Sequence, residues 1–228
     1  MFAVADGRVK NDLGAIASAR AVQMMVEGFS RVAEGASLAS VMPRLVQDAN
    51  GAVHDEALEP KRRGHLISTT LVCCALRNDT AFISHVGDSR CYQVRGGEAR
   101  LLTQDHTRAV EQCKAGAISS MQAEHHDRRH QLTRALGPEM PVDVETGSVA
   151  LQADDVLILC TDGLYDAIYP EDIARIASQN KNAGEVAREL VAYAVQSDGS
   201  DNATAQVIQI RSIEMAGAFR TRPATAAI

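Results

Sequence analysis

Residues 157–166 read Leu-Ile-Leu-Cys-Thr-Asp-Gly-Leu-Tyr-Asp. The apolar run Leu157 to Cys160 does not alternate with polar residues, the pattern of a strand covered on both faces. It stops at Asp162, and Gly163 follows at once, free to take a turn that other residues resist. Such an element delivers a carboxylate to the mouth of a buried strand. The chain repeats it as Phe2-Ala3-Val4-Ala5-Asp6-Gly7 and varies it as Ile83-Ser84-His85-Val86-Gly87-Asp88-Ser89. A further acidic turn, Asp198-Gly199-Ser200-Asp201-Asn202, opens the apolar run 203–210. Either Asp-Gly pair alone reads as an ordinary turn. Their joint occurrence with Asp88 and Asp201 points elsewhere: if the strands lie side by side, the aspartates converge at one end. Bare carboxylates so placed repel each other, and at least one would stay protonated. A hard divalent cation, or two, holds them ionised together.

The totals fit that picture. A chain of 228 residues suits one α/β or α+β unit, and 46% hydrophobic residues can fill a sizeable core. Aromatics at 4%, with no Trp, argue against stacking platforms for bases or sugars. A formal charge of −6 disfavours nucleic acid and anionic membrane as partners. The five Cys include no CxxC pair and lie mostly in apolar runs, which reads as reduced thiols in a cytoplasmic protein. No apolar stretch reaches membrane-spanning length, and no signal-peptide n-region opens the chain.

Along the chain, 2–5 reads as a strand, 14–27 as a helix that Gly28 can cap, and 38–58 as an amphipathic helix that tolerates Pro43 only in its first turn. Segments 67–76, 81–86 and 90–94 form an antiparallel meander, with Asn78-Asp79 and Gly96-Gly97 as turns. A short strand at 101–103 and a helix at 107–116 follow. Residues 117–130 break the periodicity and read as a mobile excursion. Strands at 142–149, 156–160 and 203–210 enclose helices at 170–178 and 183–196. The composition after Arg211 is that of a loosely held tail, 212–228. Stacked sheets with helices on their outer faces satisfy this order.

Three other chemistries are weighed and set aside. Gly87-Asp88-Ser89 with Asp127-Arg128-Arg129-His130 imitates a serine hydrolase, but such enzymes place the serine after the first strand and Asp-x-x-His near the C-terminus. His126 and His130 have i, i+4 spacing without the glutamate of a zinc-protease helix, so the segment reads as a solvated, titratable loop. No phosphate-cradling glycine loop follows any strand.

Taken together, the motifs resemble the metal-dependent serine/threonine protein phosphatases of type 2C in their bacterial form. The resemblance runs in order through Phe2 to Gly7, Ser68-Thr69-Thr70, Val86 to Arg90, Leu102 to Thr107, Leu132 to Gly137, Cys160 to Asp166 and Asp201-Asn202-Ala203-Thr204. It implies an α+β fold of two stacked antiparallel β-sheets flanked by α-helices, a four-layer α-β-β-α sandwich over residues 1–211, with a flap at about 117–130. It also implies two Mn²⁺ or Mg²⁺ ions and a metal-activated water attacking phosphoserine or phosphothreonine on a protein. Carried over by position, Asp6, Gly7, Asp162 and Asp201 are the metal ligands, and Asp88 and Asp166 belong to an additional, weaker ion. A Ser/Thr kinase is the implied counterpart.

The chain departs from the family at the chemistry. It starts after the strands that carry a phosphate-gripping arginine and an acidic pair, so a strand edge is exposed and a dimer is possible. Arg8-Val9-Lys10-Asn11 also replaces the Met-Gly-Gly-His that normally follows Asp-Gly. Arg8 and Lys10 are the candidates to grip phosphate instead. The rival reading keeps the fold as a pseudophosphatase, a binding or regulatory module without turnover.

Overall fold

The computed structural model describes residues 1–8, 12–62, 64–179, 182–197, 199 and 201–213; Lys10 and most of the 212–228 tail lie outside them. Among the described residues, eight strands form two antiparallel four-stranded sheets. One has the order β1 (Phe2–Val4), β2 (Leu71–Arg77), β3 (Thr80–Val86), β6 (Glu145–Ala150); the other has β5 (Glu98–Leu101), β4 (Arg90–Arg95), β7 (Val156–Cys160), β8 (Ala205–Gln209). Helices α1 (Asp12–Ser30) and α2 (Leu38–Leu58) cover the first sheet. Helices α6 (Pro170–Ala177) and α7 (Ala183–Ser197) cover the second.

The period-2 rule explains why the layers assemble. In β7, Leu157 and Leu159 point between the sheets, beside Val72 and Cys74 of β2. Their neighbours Val156, Ile158 and Cys160 point to the opposite face, against Ile173, Ile176, Val186 and Leu190 of the helices. Residues Leu71, Cys73 and Ala75 of β2 likewise face α1 and α2. Both faces of β2 and of β7 are therefore apolar, which is why the sequence runs there lack alternation. Cys73, Cys74, Cys91 and Cys160 are buried free thiols inside this core.

The structure corrects several expectations. The segments 67–76, 81–86 and 90–94 do not form one meander. Strand β3 pairs with β2 and β6, whereas β4 pairs with β5 and β7. Gly87-Asp88-Ser89 is the corner where the chain changes sheets, and the positive φ of Gly87 (101°) makes the corner possible. Helix α1 continues past Gly28 to Ser30; a side chain at Gly28 would begin 2.6 Å from Leu45 Cδ2, so this glycine serves helix–helix packing. Pro43 lies more than a turn inside α2. The excursion 117–130 contains a short helix, α4 (Ser120–Glu124), held by a Ser119/Gln122 capping box. Two further helices are α3 (Arg108–Lys114), capped by Thr107, and α5 (Asp162–Tyr165), which Thr161 alone separates from the run Leu157 to Cys160. Among the described residues no helix is long and apolar enough to cross a membrane.

Because β7 packs on both faces, Leu157→Ala should cost about 2–5 kcal/mol in denaturant unfolding. Leu101→Ala, on an edge strand and 40% exposed, should cost less than about 1 kcal/mol. Similar losses at both positions would contradict the layered packing.

Candidate metal centre

The mouth of the sandwich is assembled from strand ends of both sheets. Beyond β1, the Asp6 carbonyl accepts from Thr70 N (2.9 Å) and from Thr69 Oγ1 (2.8 Å), and Asp6 N donates to Thr70 Oγ1 (3.0 Å). Thr70 Oγ1 also meets Ser89 Oγ at 2.6 Å, which ties the Asp88 corner to the same point. Gly7 bridges Thr69, and a Cβ there would stand 2.2 Å from Gly14 O, so only glycine lets the start of α1 close over the mouth. Gly163 has the matching duty: its Cβ would stand 2.6 Å from Asn202 O. The 201–204 segment is thereby laid against Thr161–Gly163, with Thr204 N donating to Thr161 Oγ1 (3.0 Å).

Around the acidic corner lie braces drawn from the remaining motifs. Gly87 N donates to His106 Nδ1 (3.1 Å), and His106 N donates to Gly87 O (3.0 Å). Arg90 grips Asp105 with Nε (3.0 Å) and Nη2 (2.7 Å) and lies over the Tyr165 ring at 3.6 Å. His85 stacks on His106 at 4.8 Å between centroids. Burial, reinforced by His85, pushes His106 down to about 4, so it is neutral and can accept from Gly87. With Nδ1 so used, the His85–His106 pair is a brace for the corner rather than a ligand set.

The carboxylates themselves are short of partners. A carboxylate oxygen of Asp88, one of Asp162 and a ring nitrogen of His130 lie within 4.8 Å of one another. Asp88 Oδ2 is buried and accepts no hydrogen bond. The buried Asp155 shows the contrast: it receives Gln93 Nε2 (3.0 Å), Arg95 Nε (2.7 Å) and Gln152 N (2.8 Å). Burial, with repulsion from Asp162, lifts the Asp6 carboxyl to about 6 and the Asp88 carboxyl to about 7. Asp201 adds its negative charge to Asp6, although its own side chain is exposed. Hard oxygen donors, mutually repelling and one of them orphaned in the interior, fit a divalent cation.

Asp6, Asp88 and Asp162 are thus brought together, with Asp201 at the margin. Asp166 is engaged differently, since its Oδ2 meets His130 Nε2 at 3.0 Å and Arg129 Nη2 at 3.7 Å. Burial pushes its carboxyl up, but the bond from His130 and the positive charges outweigh this and hold it below the usual range. His130 is the residue the sequence reading missed. It was grouped with a solvated loop, yet it reaches the acidic mouth, and its buried Nδ1 has no partner. Arg8, considered as a phosphate grip, turns inward: Nη1 stands 3.0 Å from Asp162 Oδ2, and Nη2 donates to His130 O (2.8 Å). Its place directly after Asp-Gly was the available signal.

Two stacked sheets with helical outer layers and an acidic mouth suited to a divalent cation define an α+β sandwich with a candidate metal centre. The chain belongs to the protein phosphatase 2C family, whose model matches residues 1–204. A serine/threonine phosphatase, stp, of Listeria innocua is 30% identical over 209 residues, covering 90% of this chain and 82% of the relative. The solved Mycobacterium tuberculosis serine/threonine phosphatase PstP/Ppp superposes with a TM-score of 0.83 at 28% identity, covering 92% of this chain and 87% of that one. A PstP catalytic domain in complex with two manganese ions gives 0.75 at 28% identity, covering 91% and 87%. These names favour the enzyme over the non-hydrolysing module raised by the altered Arg8–Asn11 run.

The raised carboxyls set a pH signature for the metal-free protein. A raised folded value means that stability is fully present below the ordinary 3.8 and is lost as pH rises through about 6 and about 7. Asp88→Asn removes the higher of these titrations. In melts with chelator, the variant should therefore gain on wild type between about pH 4 and about pH 7, and hold that gain above it. A gap that narrows with pH would contradict the assignment.

Proposed function

We propose that this chain is a Mn²⁺- or Mg²⁺-dependent phosphatase that hydrolyses phosphoserine and phosphothreonine on proteins. The observation that carries the reading is the orphaned Asp88 oxygen within a mouth shared by Asp6 and Asp162. Asp6, the Gly7 carbonyl, Asp162 and Asp201 would hold two ions, with Asp88 and Asp166 serving a further, weaker one. Bound there, divalent ions supply Lewis acidity toward the phosphoryl oxygens and a water made acidic enough to attack. The chain's own task is to hold the carboxylates aligned and partly shielded from bulk water. Gly7 and Gly163 permit the close approach, while Thr70, Ser89 and His106 fix the corner.

Beside the mouth lies a cleft of about 290 Å³ lined by Arg8, Leu66, Ser68, Leu132, Thr133, Arg134 and their neighbours. It offers a seat for peptide next to the phosphorylated residue. Residues 1–211 form the catalytic domain in this reading, with 117–130 as its flap. The reading places the protein in the cytoplasm, opposite the Ser/Thr kinase that writes the phosphate, with edge strand β1 as the surface for self-association.

Incubated with a phosphothreonine peptide and excess Mn²⁺, the wild type should release phosphate. Asp162→Ala should lower the rate by at least about 100-fold. No release from wild type, or equal release from both, would refute the reading.

A further inference from the structure

The acidic mouth already holds a cation, and it belongs to the chain. Arg8 Nη1 stands 3.0 Å from Asp162 Oδ2, 3.6 Å from Asp6 Oδ2 and 3.9 Å from Asp88 Oδ2. Through Nη2 the same guanidinium donates to the His130 carbonyl at 2.8 Å. It thereby joins the end of β1, the corner after β3, the first residue of α5 and the end of the 117–130 segment. An ordinary surface ion pair links two flexible, solvated side chains. Here three carboxylates from three separate elements surround one nitrogen, and Asp88 and Asp162 are both buried.

We infer that Arg8 is the resident counter-cation of this cluster and competes with divalent ions for the same carboxylate oxygens. Ions that take Asp6 and Asp162, or the further one at Asp88, would claim the partners of the guanidinium, expel it and break its bond to the His130 carbonyl. The inference rests on the reading of the mouth as a metal centre. Its logic is electrostatic. Once ionised, the three carboxylates carry three negative charges and Arg8 returns one, so the cluster still attracts a divalent ion, but against a positive charge in a poorly solvated place. Arginine stays protonated at any working pH, so the competition is not relieved by titration. Its planar fork also engages a carboxylate and a backbone carbonyl at once, which a spherical ion does not replace at His130. Filling the centre and breaking the tie from Arg8 to the His130 carbonyl are therefore coupled events.

Calorimetric titration of Mn²⁺ into wild type, Arg8→Ala and Arg8→Lys at fixed pH and ionic strength tests this. Arg8→Ala should bind its weakest-held ion at least about tenfold more tightly than wild type, with Arg8→Lys between them. Equal or weaker binding by Arg8→Ala overturns the inference while leaving the metal centre intact. Binding of no ion by any of the three proteins overturns both. A second measurement needs no folded Arg8→Ala: Mg²⁺ is titrated into wild type and the arginine Nε–H resonances are followed. The Arg8 signal is identified by its loss in Arg8→Lys. It should move to the position and fast water exchange of an exposed arginine as the ion binds. A signal that stays put at saturating Mg²⁺ overturns the inference.

Discussion

Negative charges that share a poorly solvated pocket repel, and the rest of this structure answers that constraint. Asp6, Asp88 and Asp162 gather at the ends of strands from two different sheets, and Asp88 presents a buried oxygen without a hydrogen-bond donor. Such an arrangement persists only if the scaffold is stiff enough to impose it and a cation is available to offset it. Both conditions are met. The scaffold is a sandwich whose central strands are buried on both faces, and one cation is Arg8.

The stiffness has identifiable sources. Gly7 and Gly163 remove side chains where backbone segments approach too closely for a Cβ. Thr70 Oγ1 joins the Asp6 backbone to Ser89, and His106 holds Gly87 from the other side. Arg90 links Asp105 to the face of Tyr165, so the corner after β3 and helix α5 are positioned by one side chain. These groups need not touch substrate to matter, because a displaced carboxylate is a poor ligand.

Much of this was legible in the sequence because it depends on local patterns. The unalternating run 156–160 announced a strand buried on both faces, and the periodicity of 38–58 defined the extent of α2. The convergence of Asp6 and Asp162 could be read from repeated Asp-Gly pairs. The residues that were misjudged depend on relationships between distant segments. Nothing local distinguishes His130 from His125 or His126; only the path of the 117–130 segment brings it to Asp166. The change of sheet at Gly87–Ser89 was hidden because a corner and a hairpin both use glycine and aspartate there. Arg8 read as a phosphate grip because its partners at 88, 130 and 162 are contributed by the fold.

The account stands on the claim that a divalent ion and these aspartates share one place. Anomalous scattering from crystals soaked in Mn²⁺ locates the ion without reference to turnover. A manganese peak bonded to carboxylate oxygens of Asp6 and Asp162 is the predicted result. Ordered density for those side chains with no manganese within bonding reach of Asp6, Asp88 or Asp162 would contradict it.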